Sequence, residues 1–209
     1  MPQTGRPRAF DAEAALDRAV EVFWRQGYEG ASLTDLTNAM GINKPSLYAA
    51  YGNKEGLFRK VVARYADVEM AYARDALTQA TAYEVAAAML RANVVALTRP
   101  DRPAGCLSIQ GGTACSTENA GIAAFLAASR LAGEQALAER FARAVEEHDL
   151  PEGADPVALA RFVSIVTEGQ AVHAAAGVTR AQLEQAAEIA LHAFAAAAYP
   201  DRPVSSTGR

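Results

Sequence analysis

Apolar side chains recur at helical spacing along almost the whole chain. Leu16, Ala19, Val20, Phe23 and Trp24 follow the i, i+3, i+4, i+7, i+8 order of one buried stripe, which predicts a first helix. Gly27 is the expected stop. Ser32, with Asp35 three residues on, forms a capping-box pattern and opens a second helix, with Leu33, Leu36 and Met40 on its apolar side and Gly41 at its end. Asn43 is placed to cap a third. Pro45 falls in its first turn, where a missing N–H does no harm, and Leu47 and Tyr51 lie four apart on its inner face. Asn53 can cap a fourth helix, with Glu55 near its positive end. No break signal stops that helix before about Ala80.

Later starts are equally readable. Thr81 and Glu84 form another capping box, and Asp155-Pro156 is an N-cap followed by a first-turn proline. Gly177 closes that helix, and Thr179 with Gln182 opens the last, which carries Leu183, Ala186, Ala187, Ala190, Leu191 and Phe194 on one stripe. The preceding helix carries Leu159, Phe162, Val163 and Val166, a stripe that needs cover. Residues 99–116 are the least regular and are expected to hold a loop and a short helix. No alternation suggests a sheet, and no internal repeat is visible. The expectation is an all-α chain of about nine helices. It divides into residues 1–55, three helices with a basic arm; residues 56–199, a helical body entered by a long helix four; and a disordered, Pro/Ser/Gly-rich tail at 200–209.

Composition narrows the classes. At 209 residues and 51% hydrophobic, the chain can bury a substantial core. No run approaches a membrane span, and the first residues lack a secretory signal. Two cysteines, Cys106 and Cys115, argue against a disulfide framework and for a reducing compartment, so a cytoplasmic location is expected. Net charge is −4, but it is divided unevenly: residues 1–65 hold nine Lys/Arg and seven Asp/Glu, the rest eleven and seventeen. A positive head on a negative body fits a reader of DNA joined to another function.

The chemistry concentrates at residues 41–54, GINKPSLYAAYGNK. Two helices joined by Gly41-Ile42, with a third packed behind them, describe a helix-turn-helix. A major groove, about 12 Å wide, admits one helix. Asn43, Lys44, Pro45, Ser46 and Tyr48 would face the duplex, Lys44 toward phosphate or guanine, Ser46 and Tyr48 toward phosphate or a base edge. Ala49 and Ala50 are small enough for close approach to thymine methyls. Thr34 and Lys54, at the starts of helices two and four, are placed for phosphate. Arg6 and Arg8 lie in an arm held extended by Pro7 and suited to a minor groove, or else form a plain solvated tail. The bland alternative for helix three is an ordinary tight hairpin in a helical interaction module that binds no specific DNA.

At this point GRPRAFD, AVEVFWRQGYEGASLTDL and MGINKPSLYAAYGNKEGLF, in order over roughly residues 5–65, resemble the TetR family of bacterial transcriptional regulators. The resemblance implies a homodimer, a pseudo-palindromic operator in double-stranded DNA, a small-molecule effector in the C-terminal domain, and most often repression. It implies dimerisation through helices at about 155–176 and 179–198. Gly105-Cys106-Leu107, with Cys115 nine residues on, resembles a subgroup in which cysteine responds to electrophiles or oxidants.

Two readings of the sensor follow. In one, an apolar ligand sits among the fifth to eighth helices, with Gln170 and His173 supplying orienting hydrogen bonds; His173 is otherwise a satisfied core histidine. In the other, Cys106 opens a short helix near Arg99 and Arg102 and acts as a switch; it is otherwise a small buried hydrophobe. No cofactor or metal site is expected: His148, His173 and His192 are widely spaced. No phosphate loop, nucleophile elbow or zinc-protease motif points to an enzyme, and Glu146-Glu147 reads as a solvated face.

Overall fold

A computed structural model describes residues 12–112 and 115–200. Arg6 and Arg8, and residues 201–209 of the expected tail, lie outside the described residues. Those described form ten α-helices and one 3₁₀ turn (Thr117–Asn119), with no strand among them. The helices are α1 (Ala12–Gly30), α2 (Leu33–Met40), α3 (Lys44–Tyr51), α4 (Lys54–Val68), α5 (Ala71–Ala76), α6 (Ala82–Leu97), α7 (Leu107–Gln110), α8 (Ala120–Glu146), α9 (Pro156–Ala175) and α10 (Arg180–Ala198).

The local signals fix the N-terminal unit. Ala15, Ala19, Val20, Phe23 and Trp24 bury the inner face of α1, while Leu16 is only half-buried. Gly27 breaks the helix at φ 68°, ψ 178°, and the turn Tyr28–Gly30 continues from it. Ser32 and Asp35 make the reciprocal capping box of α2, which Gly41 ends in the left-handed region at φ 69°. Asn43 Oδ1 accepts from Ser46 N at 2.8 Å and starts α3; Asn53 Oδ1 accepts from Gly56 N at 2.7 Å and starts α4. Leu36, Met40, Leu47, Leu57 and Phe58 close the core behind these helices. Phe58 meets Phe23 and Tyr28 edge-on at 4.9 and 5.1 Å.

Helix four does not run to Ala80. It stops at Val68, and α5 follows as a separate six-residue helix, so the described residues carry ten helices where about nine were expected. The break is tertiary in origin. Arg74 turns back to donate to the carbonyls of Ala66 and Asp67 at 3.1 and 2.8 Å, satisfying the end of α4 from outside it. Glu69, at the break, is drawn inward, with Arg99 and Arg102 each 3.0 Å from its carboxylate. Neither device is a glycine or proline, so local pattern does not announce it.

The body packs α6, α8, α9 and α10 around a second part of the core. Phe141 of α8 and Phe194 of α10 lie 5.5 Å apart, and buried Arg140 donates to the carbonyls of Gln79 and Ala80, tying α8 to the turn before α6. On α9, Leu159 and Val163 face inward, and Phe162 and Val166 are half-buried; Ala186 of the expected α10 stripe is exposed. Glu146 and Glu147 are exposed, as a solvated face should be.

One clamp joins head to body. Glu29 accepts from Ser116 N at 2.7 Å and from Asn119 Nδ2 at 2.9 Å. The Ser116 backbone bond is the largest cause holding its carboxyl at about 2 rather than near 4.5. A folded-state value below the unfolded one contributes stability that is complete above about pH 4.5 and lost as pH falls through about 2. Denaturation of the protein and its Glu29→Gln variant should therefore show a constant stability gap from pH 7 to about 5 that closes between about 4.5 and 2.

Candidate nucleic-acid interface and ligand cavity

The turn between α2 and α3 is built from backbone outward. Gly41 N donates to Asn38 O at 3.2 Å and Ile42 N to Thr37 O at 3.1 Å, closing the end of α2. Arg18 of α1 donates to Met40 O at 3.3 Å, so α1 also grips that end. Leu47 is completely buried and pins α3 from behind; Tyr51 is half-buried beside it. Every other side chain from Asn43 to Ala50 is exposed: Asn43, Lys44, Pro45, Ser46, Tyr48, Ala49 and Ala50. Thr34 is exposed on α2. Asn38, which the sequence did not single out, joins Thr37, Gly41, Ile42, Asn43 and Ser46 around a shallow concavity at the helix junction. It sits where the polar side of α2 meets the N-terminus of α3, a placement visible only once the two helices are crossed.

Lys54 departs from its simple role. Its ammonium lies 4.6 Å from the Tyr28 ring centroid, and burial lowers its pKa against the opposing charge of Glu29. The side chain thus ties α4 to the end of α1.

The second feature is a cavity of about 290 Å³ in the body. Ala66 of α4, Met70 and Tyr72 at α5, Leu77 beyond it, Met89 and Asn93 of α6, and Cys106, Ser108 and Ile109 around α7 form part of its wall. Ala73 and Arg74 of α5, Ser129, Arg130, Gly133, Glu134, Ala136 and Leu137 of α8, and Ser164, Thr167, Glu168 and Ala171 of α9 form the rest of the frame. Asn93 is held on three sides: it accepts from Tyr72 OH at 2.7 Å and donates to Thr167 O at 3.1 Å and Gln170 Oε1 at 2.6 Å. Gln170 therefore acts at one remove, buried behind Asn93. His173 does not contribute. A step of three residues from Gln170 carries it to the flank of the inward stripe Val163–Gln170–Ala174, where it is exposed and neither a cavity ligand nor a core histidine.

Cys106 does open the short helix α7, and it borders the cavity. Arg99 and Arg102, its near neighbours in sequence, instead hold Glu69. Its polar neighbour is Tyr65 of α4, whose hydroxyl donates to Cys106 Sγ at 3.3 Å; burial, then Cys106, pushes the Tyr65 pKa up, so the phenol stays protonated. Cys115 is half-buried, and desolvation followed by the charge of Glu29 raises its thiol pKa, which disfavours the thiolate.

The segment carrying α7 is shared between the two features. While Cys106 and Ser108 border the cavity, Gly105 O accepts from Trp24 Nε1 at 3.2 Å and Gly111 O accepts from Tyr28 N at 3.1 Å, both from α1. Trp24 in turn meets Tyr65 edge-on at 4.8 Å. The signals for the cavity were faint in sequence: one asparagine inside an apolar helix, Asn93, was the clearest. Among the described residues no group of three His, Cys, Asp or Glu could hold a metal ion, and no helix is long and apolar enough to cross a membrane.

Comparisons agree with this architecture. Residues 15–61 match the family model described as bacterial regulatory proteins, tetR family. The chain is 36% identical over 185 residues, 88% of each chain, to the HTH-type transcriptional repressor ComR of Escherichia coli (strain K12). It is 32% identical over 162 residues to the HTH-type transcriptional regulator YezE of Bacillus subtilis (strain 168), covering 77% of this chain and 84% of that one. A solved structure of a cysteine mutant of the TetR family regulator CifR, complexed with 26-bp double-strand operator DNA, superposes with a TM-score of 0.86 at 42% identity, covering 90% of this chain and 99% of that one. With this fold, this helix-turn-helix and relatives matched over nearly their whole length, the chain belongs to the TetR family of bacterial regulatory proteins and is a DNA-binding transcriptional regulator.

Proposed function

We propose that this regulator is a repressor which binds a pseudo-palindromic operator as a homodimer and leaves it when a small molecule fills the cavity in its body. The observation that carries the reading is the exposed outer face of α3, held rigid by fully buried Leu47. Repression is the activity named for the ComR relative, and the CifR relative is bound to operator DNA. We take residues 1–55 as the reading unit, including Arg6 and Arg8, and 56–199 as the sensing and pairing unit. Because its partner is the operator, we place it in the cytoplasm, binding and releasing ligand rather than turning it over.

Pairing falls to α9 and α10. Ile165 and Val172 share one face of α9, and Ile189 stands on α10; they are 63, 54 and 72% exposed, large apolar side chains on helices whose opposite faces are buried against the body. A two-fold axis there sets two recognition helices about 34–36 Å apart, one turn of duplex.

Coupling runs through α7 rather than through a long helix four. A ligand pressing on Cys106 and Ser108 moves a segment whose carbonyls hold Trp24 and Tyr28 and whose sulfur holds Tyr65. α1 and α4, two of the helices that close the core behind α3, thus share one sensor. Coupling of about 1–3 kcal/mol is usual for such switches, and operator must weaken ligand as ligand weakens operator.

A second reading, a redox or electrophile sensor, is favoured by Cys106 being the cysteine that borders the cavity. If it holds, peroxide releases the native protein from DNA and leaves the Cys106→Ser variant bound; equal release of both removes it.

Two further outcomes are expected. Operator affinity should fall roughly 10³-fold or more from about 50 to 200 mM salt, and Lys44→Ala should weaken it about tenfold and flatten the salt slope by about 2, one contact per protomer, at unchanged circular dichroism. Ile165→Glu should convert a species of twice the 22.0 kDa chain mass to monomer in light scattering and weaken operator binding with it; a dimer that survives this change would place the interface elsewhere.

A further inference from the structure

The wall of the cavity carries charge in both signs, yet all of it is already matched. Arg130 Nε lies 3.5 Å from Glu168, and its Nη1 donates to Ser108 O at 3.0 Å. Glu134 takes Arg161 of α9 at 2.8 Å. Arg74 is spent on the end of α4 and on Asp67. Asn93 has its bonds to Tyr72, Thr167 and Gln170. A ligand bearing a carboxylate or an ammonium would be desolvated without gaining an unpaired opposite charge, which is costly. The apolar remainder, Met70, Leu77, Met89, Ile109 and Leu137, rewards hydrocarbon.

Of the buried polar side chains in that wall, Asn93 and Ser108, the second is poorly served. Ser108 is 8% exposed, and its hydroxyl donates to Met70 Sδ at 3.9 Å, a weak acceptor. An oxygen acceptor brought to that hydroxyl exchanges a thioether contact for an ordinary O–H···O bond. Nearby Cys106 Sγ is itself already taken by the Tyr65 hydroxyl. The volume, about 290 Å³, lies at the small end of the roughly 300–1,000 Å³ usual for small-molecule sites.

We infer that the cavity takes a small, neutral, largely apolar molecule with a single oxygen acceptor, of the ketone, ester or ether class, whose oxygen is received by Ser108. This rests on the cavity being the ligand site proposed above. It also gives the ligand a handle on the α7 segment, whose carbonyls hold α1.

Four probes of nearly one size separate the alternatives: acetophenone, ethylbenzene, benzoate and benzylamine, titrated calorimetrically into the full-length dimer. Acetophenone should bind best, with benzoate and benzylamine at least about tenfold weaker. Ser108→Ala should lower acetophenone affinity about fivefold, to the ethylbenzene level, while leaving ethylbenzene unchanged; this corresponds to one hydrogen bond of about 1 kcal/mol. Equal or tighter binding of either charged probe, unchanged acetophenone affinity in Ser108→Ala, or no binding by any of the four overturns the inference. Leu137→Phe, and the milder Ala73→Leu, narrow the cavity and should weaken both neutral probes. If both variants fold and bind the probes as the native protein does, the ligands sit elsewhere and the cavity reading falls. If both block binding while a charged probe wins, only the chemistry assigned to Ser108 falls.

Discussion

An eight-residue helix cannot hold itself in water, since nucleation costs more than so few hydrogen bonds return. Everything this protein does with DNA depends on α3 being held from behind. Leu47 is the bolt: with no exposed surface, it sits against a core that α1, α2 and α4 close together. Asn43 caps one end, Gly52 ends the other, and Arg18 fixes the neighbouring helix by its last carbonyl. The outer face is then free to be chosen for chemistry rather than for packing. That division of labour explains why one apolar residue in that helix is fully buried while lysine, serine, tyrosine and two alanines stand outside.

The same economy appears at α7. This four-residue helix is too short to be stable alone, and it is held by α1 through two backbone carbonyls and by α4 through a sulfur. Its other side borders the cavity. Gly27 makes the arrangement possible: its left-handed φ of 68° turns the chain so that Tyr28 N reaches Gly111 O. A side chain at position 27 would resist that turn, so the point where the reading unit meets the sensor depends on a residue with no side chain.

Much of this was legible in the sequence because capping and stripe signals are local. Ser32-Asp35, Asn43, Asn53, Thr81-Glu84, Asp155 and Thr179-Gln182 all cap the helices they announce. The all-helical class and the helix-turn-helix followed from them. What was not legible was imposed across the fold. Helix four ends at Val68 because Arg74 and the Arg99–Glu69–Arg102 cluster end it, and no residue before Ala80 signals a stop. His173 was expected inside from its distance to Gln170, but a helix flank differs from a helix face by a single step. Asn93 and Ser108 gained meaning only when α6, α7 and α9 were brought together around one space. Lys54 was legible as a cation at a helix start, but not as one lying over the Tyr28 ring.

A selection from random duplex DNA by the purified dimer, read by sequencing the retained pool, addresses the outward face of α3 most directly. The retained sites should share a two-fold symmetric motif with half-sites one helical turn, or a multiple of it, apart. The motif should disappear from the pool when Tyr48 and Lys44 are both replaced by alanine. A pool that keeps no common sequence, or a motif that persists unchanged in the double variant, would contradict the assignment of α3 as the reading helix.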